Sequence, residues 1–307
     1  MTRRNLAAIL LGTTVHLGCT PANPAEGPWV TGTPVTVESA AEFKESALVE
    51  SSGVATSQQY PGIFWTHNDA GNLAHIFASD PSGAARSRWR FRSGQNVDWE
   101  DIGLGPCPAG TCLYIGDVGD NAEHRNDVTI YRFREPDPGV TDGLFDEADS
   151  LVVRYPDRPR DVEALFVDDS STVWLVSKGR SEGIFLYRIP AKAWSGRATT
   201  AELVDTLPIR PHLAAGQAVT GAAISPDQRT VVIRTYRDLY FFSRAPDGRL
   251  TPGPTPNRCD IVGLEIQGEA VDWWNDSTLV LTSEGGAGAR AAVRLVRCGG
   301  RGMGIRE

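Results

Sequence analysis

The fold class that the sequence predicts is all-β, with a four-stranded unit repeated along the chain. The 307 residues include 32 glycines, 20 prolines and eight tryptophans, which is typical of a protein rich in turns and strands. After the first twenty residues, no long segment has the 3.6-residue apolar period of an amphipathic helix. Five short motifs recur instead. These observations predict a β-propeller with five blades, or with six if one repeat is degenerate.

Each repeat begins with a polar residue at the head of an apolar strand. The five starting residues are Ser52, Glu100, Glu163, Thr220 and Glu269, spaced by 48, 63, 57 and 49 residues. Propeller blades repeat every ~40–50 residues, so these are blades with enlarged loops. In each of the first four repeats, three further strands follow the first one. The fourth strand of the Thr220 repeat is expected at 260–266. The last repeat has only three strands, and we expect the extended run 29–37 to supply the fourth and close the ring.

The first segment has the features of an export signal. Arg3 and Arg4 precede an apolar run, 6–17, that is too short to span a membrane as a helix. Gly18-Cys19 resembles a bacterial lipoprotein cleavage site, which implies acylation of Cys19, although His16 replaces the usual leucine. An ordinary secretory signal is the alternative.

The division of the chain follows from this signal. We expect a signal peptide at 1–19, a flexible tether at 20–34, the propeller domain at 35–300 and a tail at 301–307. The protein would be exported to the periplasm or the cell surface and would meet the membrane only through its lipid.

The four other cysteines fit an oxidising compartment. Cys107 and Cys112 flank a tight turn, and Cys259 and Cys298 lie in strand-like runs. We expect the disulfides Cys107–Cys112 and Cys259–Cys298. A zinc site is the alternative, but the spacing lacks a second close pair.

The five starting residues also predict a ring of oxygen ligands. The first strand of each propeller blade lines the central channel, so these side chains should face one another. Three carboxylates in a narrow channel repel, and a bound cation relieves that repulsion. Such a set suits Ca²⁺, which takes about 6–8 oxygen ligands. A channel filled with water is the alternative. In the run 98–101, Asp98 and Asp101 are expected to orient loops and Trp99 to lie in the core.

This ring resembles that of the five-bladed calcium-dependent apyrases, which are soluble nucleotidases. Their order is Ser, Glu, Glu, Ser, Glu around a central calcium ion, and the present chain departs from it only at Thr220, where a hydroxyl remains. The resemblance implies Ca²⁺ as a cofactor bound by the five starting residues. It is carried by five short motifs between residues 51 and 297, and no catalytic motif outside the ring matches. The loops 65–71 and 116–121 look more like those of bacterial propellers of unassigned function.

A second polar group follows the second strand of each repeat, beside the expected channel mouth. His67 and Asp117 are candidates for activating water, and Lys178 and Arg234 for stabilising developing negative charge. The expected ligand-binding residues are Asn68, Asp69, Asp120, Asn121, Arg180, Tyr236 and Glu284. With a metal to polarise a phosphoryl oxygen, this set predicts a calcium-dependent hydrolase of phosphate esters or anhydrides that takes a small anionic ligand.

The same motifs are also ordinary turn chemistry, in which Asn and Asp cap loops and Gly takes positive φ. On that interpretation the protein is a non-catalytic propeller that binds a ligand or an envelope protein. A glycosidase would need two facing carboxylates about 5–9 Å apart, and the sequence identifies no such pair. The net charge of −8 argues against nucleic acid as a partner. We expect a monomer.

Overall fold

The computed structural model describes residues 27–30, 32–92, 94–145, 148–286 and 288–299. These residues form strands joined by turns, with two short 3₁₀ helices, Ala191–Ser195 and Leu213–Ala215. The predicted all-β class is therefore confirmed. No helix in the described ranges is long and apolar enough to cross a membrane. The signal peptide with Cys19, most of the tether and the tail lie outside these ranges.

The first strand of every repeat lies where the sequence predicts it. These first strands are β2 (Ser51–Thr56), β6 (Trp99–Cys107), β11 (Val162–Val167), β16 (Val219–Ile224) and β21 (Gln267–Trp273). The second strands are β3 (Phe64–Asn68), β7 (Gly110–Asp117), β12 (Val173–Ser177), β17 (Thr230–Thr235) and β22 (Leu279–Glu284). The third are β4 (His75–Ser79), β8 (Val128–Arg134), β13 (Ile184–Ile189), β18 (Asp238–Arg244) and β23 (Ala292–Cys298).

Fourth strands complete these meanders. They are β5 (Ala85–Phe91), β10 (Asp149–Arg154), β15 (Glu202–Leu207), β20 (Arg258–Asp260) and, for the last repeat, β1 (Thr33–Glu42). Three short strands were not expected from the sequence: β9 (Asp142–Phe145), β14 (Ala198–Thr200) and β19 (Leu250–Pro252). The strands β9 and β14 add parallel to the outer edges of β5 and β10.

The five first strands surround a central channel. Each pairs antiparallel with its second strand, and each contacts the first strands of the neighbouring repeats, with β21 next to β2. Apolar side chains pack between neighbouring meanders in five clusters of described residues. Because both faces of an inner strand are covered in this way, β11 and β12 are buried along their whole length. Trp99, expected in the core, is fully buried.

The strand β1 closes the ring with a different range of residues from the predicted one. It pairs antiparallel with β23, as expected, but spans 33–42 rather than 29–37. Trp29 instead packs edge-on against Tyr240 and Phe242, at ring-centroid distances of 4.8 and 4.9 Å, and its indole N–H donates to Pro208 O at 2.8 Å. The packed part of the chain thus begins before residue 35.

Around the start of β1 the meanders of β16 and β21 join into one nine-stranded sheet. The strand β1 pairs with β20, in parallel, as well as with β23. The fourth strand expected at 260–266 ends at Asp260, because the chain then turns, with Leu264 N–H donating to Ile261 O at 3.1 Å. A disulfide between Cys259 and Cys298 links β20 to β23 across β1, and Cys107–Cys112 closes a hairpin. Both expected disulfides are present.

Candidate functional site

The five starting residues share one backbone feature. Each is the extra residue of a β-bulge on its first strand, since the pairing with the second strand shifts around it. The shifts fall at Ser51/Gly53, Trp99/Asp101, Val162/Ala164, Val219/Gly221 and Gly268/Ala270. A bulge leaves its extra residue outside the ladder and re-aims its side chain. The sequence repeat is therefore also a repeat of backbone geometry.

Two of the bulges need a glycine at the next position because neighbouring first strands approach closely. A Cβ at Gly53 would lie 2.7 Å from the amide nitrogen of Ile102, and one at Gly221 would lie 2.9 Å from Glu269 O. Close packing of the first strands at these points draws the starting residues together around one axis.

The ring is buried, and its members have different partners. Ser52 Oγ donates to Glu100 O at 2.9 Å, and Glu269 accepts from Tyr236 at 3.2 Å. Thr220 Oγ1 is buried without a hydrogen-bond partner in the described structure. The Glu100 carboxylate accepts no hydrogen bond from a described residue, although Glu100 is only 5% exposed. Burial and then the neighbouring Glu163 raise the pKa of Glu100 well above its ordinary value.

A second set of residues lies two positions before the starting residues. Four of its five members are polar: the chain has Glu50, Asp98, Asp161, Ala218 and Gln267 there. Asp98 and Asp161 contribute to carboxylate clusters, and Gln267 Nε2 donates to Glu269 Oε1 at 3.0 Å. Asp161 was missed by the sequence analysis, and Asp98 was given only a loop-orienting role. The Asp-x-Glu pattern at 98–100 and again at 161–163 is the signal that could have identified both.

Two overlapping carboxylate clusters result, and they share Glu100. In the outer triad (Asp69, Asp98 and Glu100), as in the inner triad (Glu100, Asp161 and Glu163), the carboxylate oxygens lie within 4.8 Å of one another. The described carboxylate clusters of this kind do not include Glu269. The closely spaced carboxylates of the ring therefore lie on one side of it, on β6 and β11.

Cationic side chains compensate the inner triad. The Lys178 ammonium contacts Glu163 Oε1, and Arg180 Nε donates to Asp161 Oδ2 at 2.7 Å. Burial still raises the pKa of Glu163 to about 7, against the lowering effect of Lys178. No described cationic side chain forms an ion pair with the outer triad. Lys178 and Arg125 act on its carboxyl groups only from a distance, so the site is less fully compensated than the inner triad.

Burial, and then the repulsion of neighbouring carboxylates, raises several pKa values around the mouth. Burial, followed by the repulsion of Asp69, raises the pKa of Asp98 to about 6. Burial and then Glu163 raise the pKa of Glu269 to about 8. Burial and then Asp69 raise the pKa of Glu284 to about 7. A cation at this mouth would favour the ionised form of each group.

The outer triad fits a hard divalent cation. Its donors are carboxylate oxygens, which Ca²⁺ prefers, and Glu100 brings a buried carboxylate without a hydrogen bond. The backbone of Gly119 leaves the room for this cluster, since a Cβ there would overlap Glu100 Oε1 and approach Asp98 Cγ to 2.6 Å. Of the five residues expected to bind the metal, Glu100 and Glu163 belong to carboxylate clusters that could hold a cation.

His67 does not lie at the mouth. It is fully buried edge-on against Trp99, at a ring-centroid distance of 5.6 Å, with Nδ1 at 3.1 Å from Asn68 O. Burial lowers its pKa to about 4, so the imidazole is neutral near pH 7. Because it sits opposite Gly53 in the ladder, its ring enters the core rather than reaching solvent. This placement does not suit the water-activating role expected of His67.

Arg234 is also a core residue rather than a mouth residue. Its buried guanidinium pairs with Glu265 and donates to Ala270 O and to Thr282 O, the latter at 3.2 Å. The absence of a side chain at Gly268 makes room for it. Arg234 therefore ties β17 to β21 and β22, and this commitment does not suit the charge-stabilising role expected of it.

Asp117, Asn68 and Asp120 organise loops. The Asp117 carboxylate accepts from the amide of Asp98 at 3.2 Å and from Arg125 Nη2 at 2.8 Å. The Asn68 Oδ1 atom accepts from two backbone amides, those of residues 49 and 50, at 2.9 and 3.0 Å. Asp120 Oδ2 accepts from Arg125 N–H at 2.6 Å. These three side chains hold the rim that carries the outer triad.

The remaining expected residues come together at the mouth. Asp69 belongs to the outer triad, and Arg180 bridges Asp161 to the exposed Asn121. Tyr236 and Glu284 face Glu269 on the opposite side, and Glu284 lies close enough to Glu269 to raise its pKa. The structure therefore assembles one acidic funnel, with Lys178 at its floor, from repeats that are distant in sequence.

Comparisons with known proteins bear on the fold. No protein-family model and no curated protein matches the chain. The PQQ-bound aldose sugar dehydrogenase of Streptomyces coelicolor aligns with a TM-score of 0.51 and 12% identity over 86% of this chain and 97% of that one. A streptogramin B lyase (TM-score 0.43, 10% identity, 85% and 97%) and a gluconolactonase of Xanthomonas campestris (0.45, 15%, 90% and 89%) also align. The first likeness supports the β-propeller fold, and at 12% identity it concerns the fold alone.

Proposed function

We propose that this protein is an exported five-bladed β-propeller that binds Ca²⁺ at its acidic mouth and hydrolyses a phosphate ester or anhydride there. The observation that carries the proposal is the outer triad of Asp69, Asp98 and Glu100, which has no cationic partner among the described residues. Five first strands, each heading its own meander, with five apolar clusters between the meanders, support the blade count.

Export is supported by the N-terminal signal pattern and by the cysteines. The protein has two disulfides, and disulfides form and persist in the oxidising environment outside the cytoplasm. Acylation of Cys19 would tether the propeller to the membrane, and the monomer would meet the bilayer only through that lipid. Mass spectrometry of the N-terminus, with Cys19→Ser as the comparison, tests this point. An unmodified N-terminus generated at another site would favour the ordinary secretory signal.

The chemistry follows from the groups beside the triad. When bound, Ca²⁺ would polarise a phosphoryl oxygen. The Lys178 ammonium supplies a fixed positive charge at the funnel floor, where an anionic ligand needs one. Glu284 lies outside the triad, and its raised pKa of about 7 suits it to accept a proton from water near neutral pH.

The test joins calcium binding to turnover. Calorimetry on the exported protein should give a Ca²⁺ affinity in the micromolar range or tighter, as in calcium sensor sites of about 10⁻⁷–10⁻⁵ M. The triple variant Asp69→Asn/Asp98→Asn/Glu100→Gln should lose it. A triple change of exposed carboxylates, Asp137→Asn/Asp247→Asn/Asp276→Asn, is the matched control. Calcium-dependent phosphate release from a nucleotide panel, lost in the first variant only, would support the hydrolase.

A non-catalytic binding propeller is the second candidate, and one observation favours it. Arg180 and Arg125 are already paired with Asp161 and Asp117, at 2.7 and 2.8 Å, and Lys178 is paired with Glu163. Calcium binding without turnover on any phosphoester in the panel would favour this function. A ligand or an envelope protein would then be held by the loops.

A further inference from the structure

The end of the channel opposite the acidic mouth holds a cavity of about 510 Å³. Its walls are the far ends of all five first strands. They contribute apolar side chains such as Val54, Ile102, Leu165 and Val167. The turns after the first strands form its rim, where Gln58 and Asn275 are exposed. The cavity is thus a chamber with apolar side chains on its walls and comparable polar surface, which opens to solvent past uncharged polar groups.

Asp101 separates this chamber from the acidic mouth. Its carboxylate accepts hydrogen bonds from the amides of Ile102 at 2.9 Å, Leu165 at 2.8 Å and Ala222 at 3.5 Å. The strands β11 and β16 are thereby linked to β6 across the channel axis. The chamber and the outer triad lie on opposite sides of this crossing, so they can be occupied independently.

Asp272 is the one charged side chain among the described residues that line the chamber. Its Oδ2 accepts from Thr56 N–H at 2.6 Å, and its Oδ1 accepts from Trp273 N–H at 2.8 Å. Each carboxylate oxygen keeps a further lone pair, because a carboxylate offers about four acceptor positions. Asp272 is partly exposed to the chamber, and Trp274 beside it is partly exposed as well. An ammonium group in the chamber could therefore meet the Asp272 carboxylate.

We propose that this chamber binds a small organic amine, in which a protonated amino group pairs with Asp272 and an apolar body fills the chamber. Charge complementarity selects a cation, since the described lining has a carboxylate and no basic side chain to receive an anion. The apolar walls select a ligand with hydrocarbon surface rather than a bare metal ion. Burial raises the pKa of Asp272 to about 7, as expected of a carboxyl group that lacks a cationic partner. The proposal does not depend on the function of the mouth.

Three probes of one shape test it: 2-phenylethylamine, 2-phenylethanol and phenylacetate. Calorimetry is performed on the full exported protein, and the Asp272→Asn variant described below distinguishes binding in the chamber from binding at the acidic mouth. We expect the amine to bind at least about tenfold more tightly than the alcohol, the factor for one hydrogen bond to a charged group. Phenylacetate should not bind. Equal affinity for amine and alcohol, or no binding of the amine, would overturn the proposal.

Variants locate the site. Asp272→Asn should weaken amine binding at least about tenfold, whereas Asp276→Asn, the same charge change at a nearby exposed position, should leave it unchanged. Equal losses in both variants would place the amine on the surface and refute the assignment. If Asp272→Asn does not fold, Gln58→Trp narrows the rim without touching the core. Reduced amine affinity in that variant would support the chamber, and unchanged affinity would refute it.

Discussion

The ammonium of Lys178 contacts the carboxylate of Glu163 at the floor of the acidic funnel. Burial by itself would lower the pKa of Lys178, but the nearby Glu163 and Asp161 carboxylates raise it, so the side chain stays charged. The protein thus places a cation of its own inside the ring. The outer triad, in contrast, forms no ion pair with a described cationic side chain, and this division underlies the first two predictions.

Lys178→Met should make stability more dependent on pH. Without the ammonium, Glu163 remains as a buried carboxylate, and breaking such a pair costs about 3–5 kcal/mol. We expect a loss of this size in metal-free protein at about pH 8, and a smaller loss at about pH 5, where Glu163, whose pKa is already raised to about 7, takes up a proton. Urea unfolding at both pH values measures this. Lys192→Met, at an exposed position, is the control, and an equal loss at both pH values would contradict the prediction.

Gly119→Ala should impair cation binding while leaving the fold intact. The added Cβ would overlap Glu100 Oε1, and that carboxylate must swing away from the outer triad. We expect calcium affinity to fall by about tenfold or more, as for loss of one charged ligand contact. Calorimetry and thermal unfolding measure the two effects. Gly286→Ala, where a Cβ meets nothing within 4 Å, should leave affinity unchanged. Wild-type affinity in Gly119→Ala would remove the outer triad as the site.

Metal-free protein should lose stability as the pH rises from about 6.5 to about 8, above the range in which the buried His67, with its pKa lowered to about 4, has the opposite effect. Glu284 and Glu269 have pKa values raised to about 7 and about 8. A group with a raised pKa binds its proton more tightly in the folded state, so its contribution is full below the unfolded pKa and is lost as the pH passes the folded one. Saturating Ca²⁺ favours the ionised groups and should flatten this decline. Urea midpoints across the range, with EDTA or with calcium, provide the measurement, and a rise in stability with pH in EDTA would show the prediction to be wrong.

Removal of the Cys259–Cys298 disulfide should cost more than removal of Cys107–Cys112. The two bonds span 39 and 5 residues, respectively. Chain entropy then predicts losses of roughly 4 and roughly 2 kcal/mol for the paired Cys→Ser variants. Urea unfolding of each double variant, with the other bond intact, measures the difference. Equal losses of unfolding free energy would mean that the longer loop closed by Cys259–Cys298 gives no additional stability.

The ring could be predicted from the sequence because it depends on local backbone geometry. Each starting residue is a bulge at the head of an apolar strand, and both features recur along the chain. The roles of His67 and Lys178 could not be predicted in this way, although both lie fifteen residues after a starting residue. His67 is still within β3 and points into the core, whereas Lys178 follows the end of β12 and reaches Glu163. The first hairpin is longer, since Ser51 pairs with Asn68 whereas Val162 pairs with Ser177, so Asp69 rather than His67 is the counterpart of Lys178.

Contacts between repeats also could not be predicted from the sequence. The pairing of Arg234 with Glu265 depends on how neighbouring meanders pack, and no local pattern encodes it. Asp161 had a local signal, because it precedes Glu163 as Asp98 precedes Glu100. The position of β1 differed because Trp29 is anchored on Tyr240 and Phe242, which fixes where the strand can begin.

The pairing of β1 has a consequence for the order of assembly. The ribosome makes β1 first, yet its partners β20 and β23 are made last. The local meanders can form as they emerge, but the joint between the two ends of the chain must wait for residue 298. Such distant pairings are slow to form. Until that joint forms, the edges of β20 and β23 stay open to other chains, so the partly folded protein is most exposed to aggregation before β1 docks.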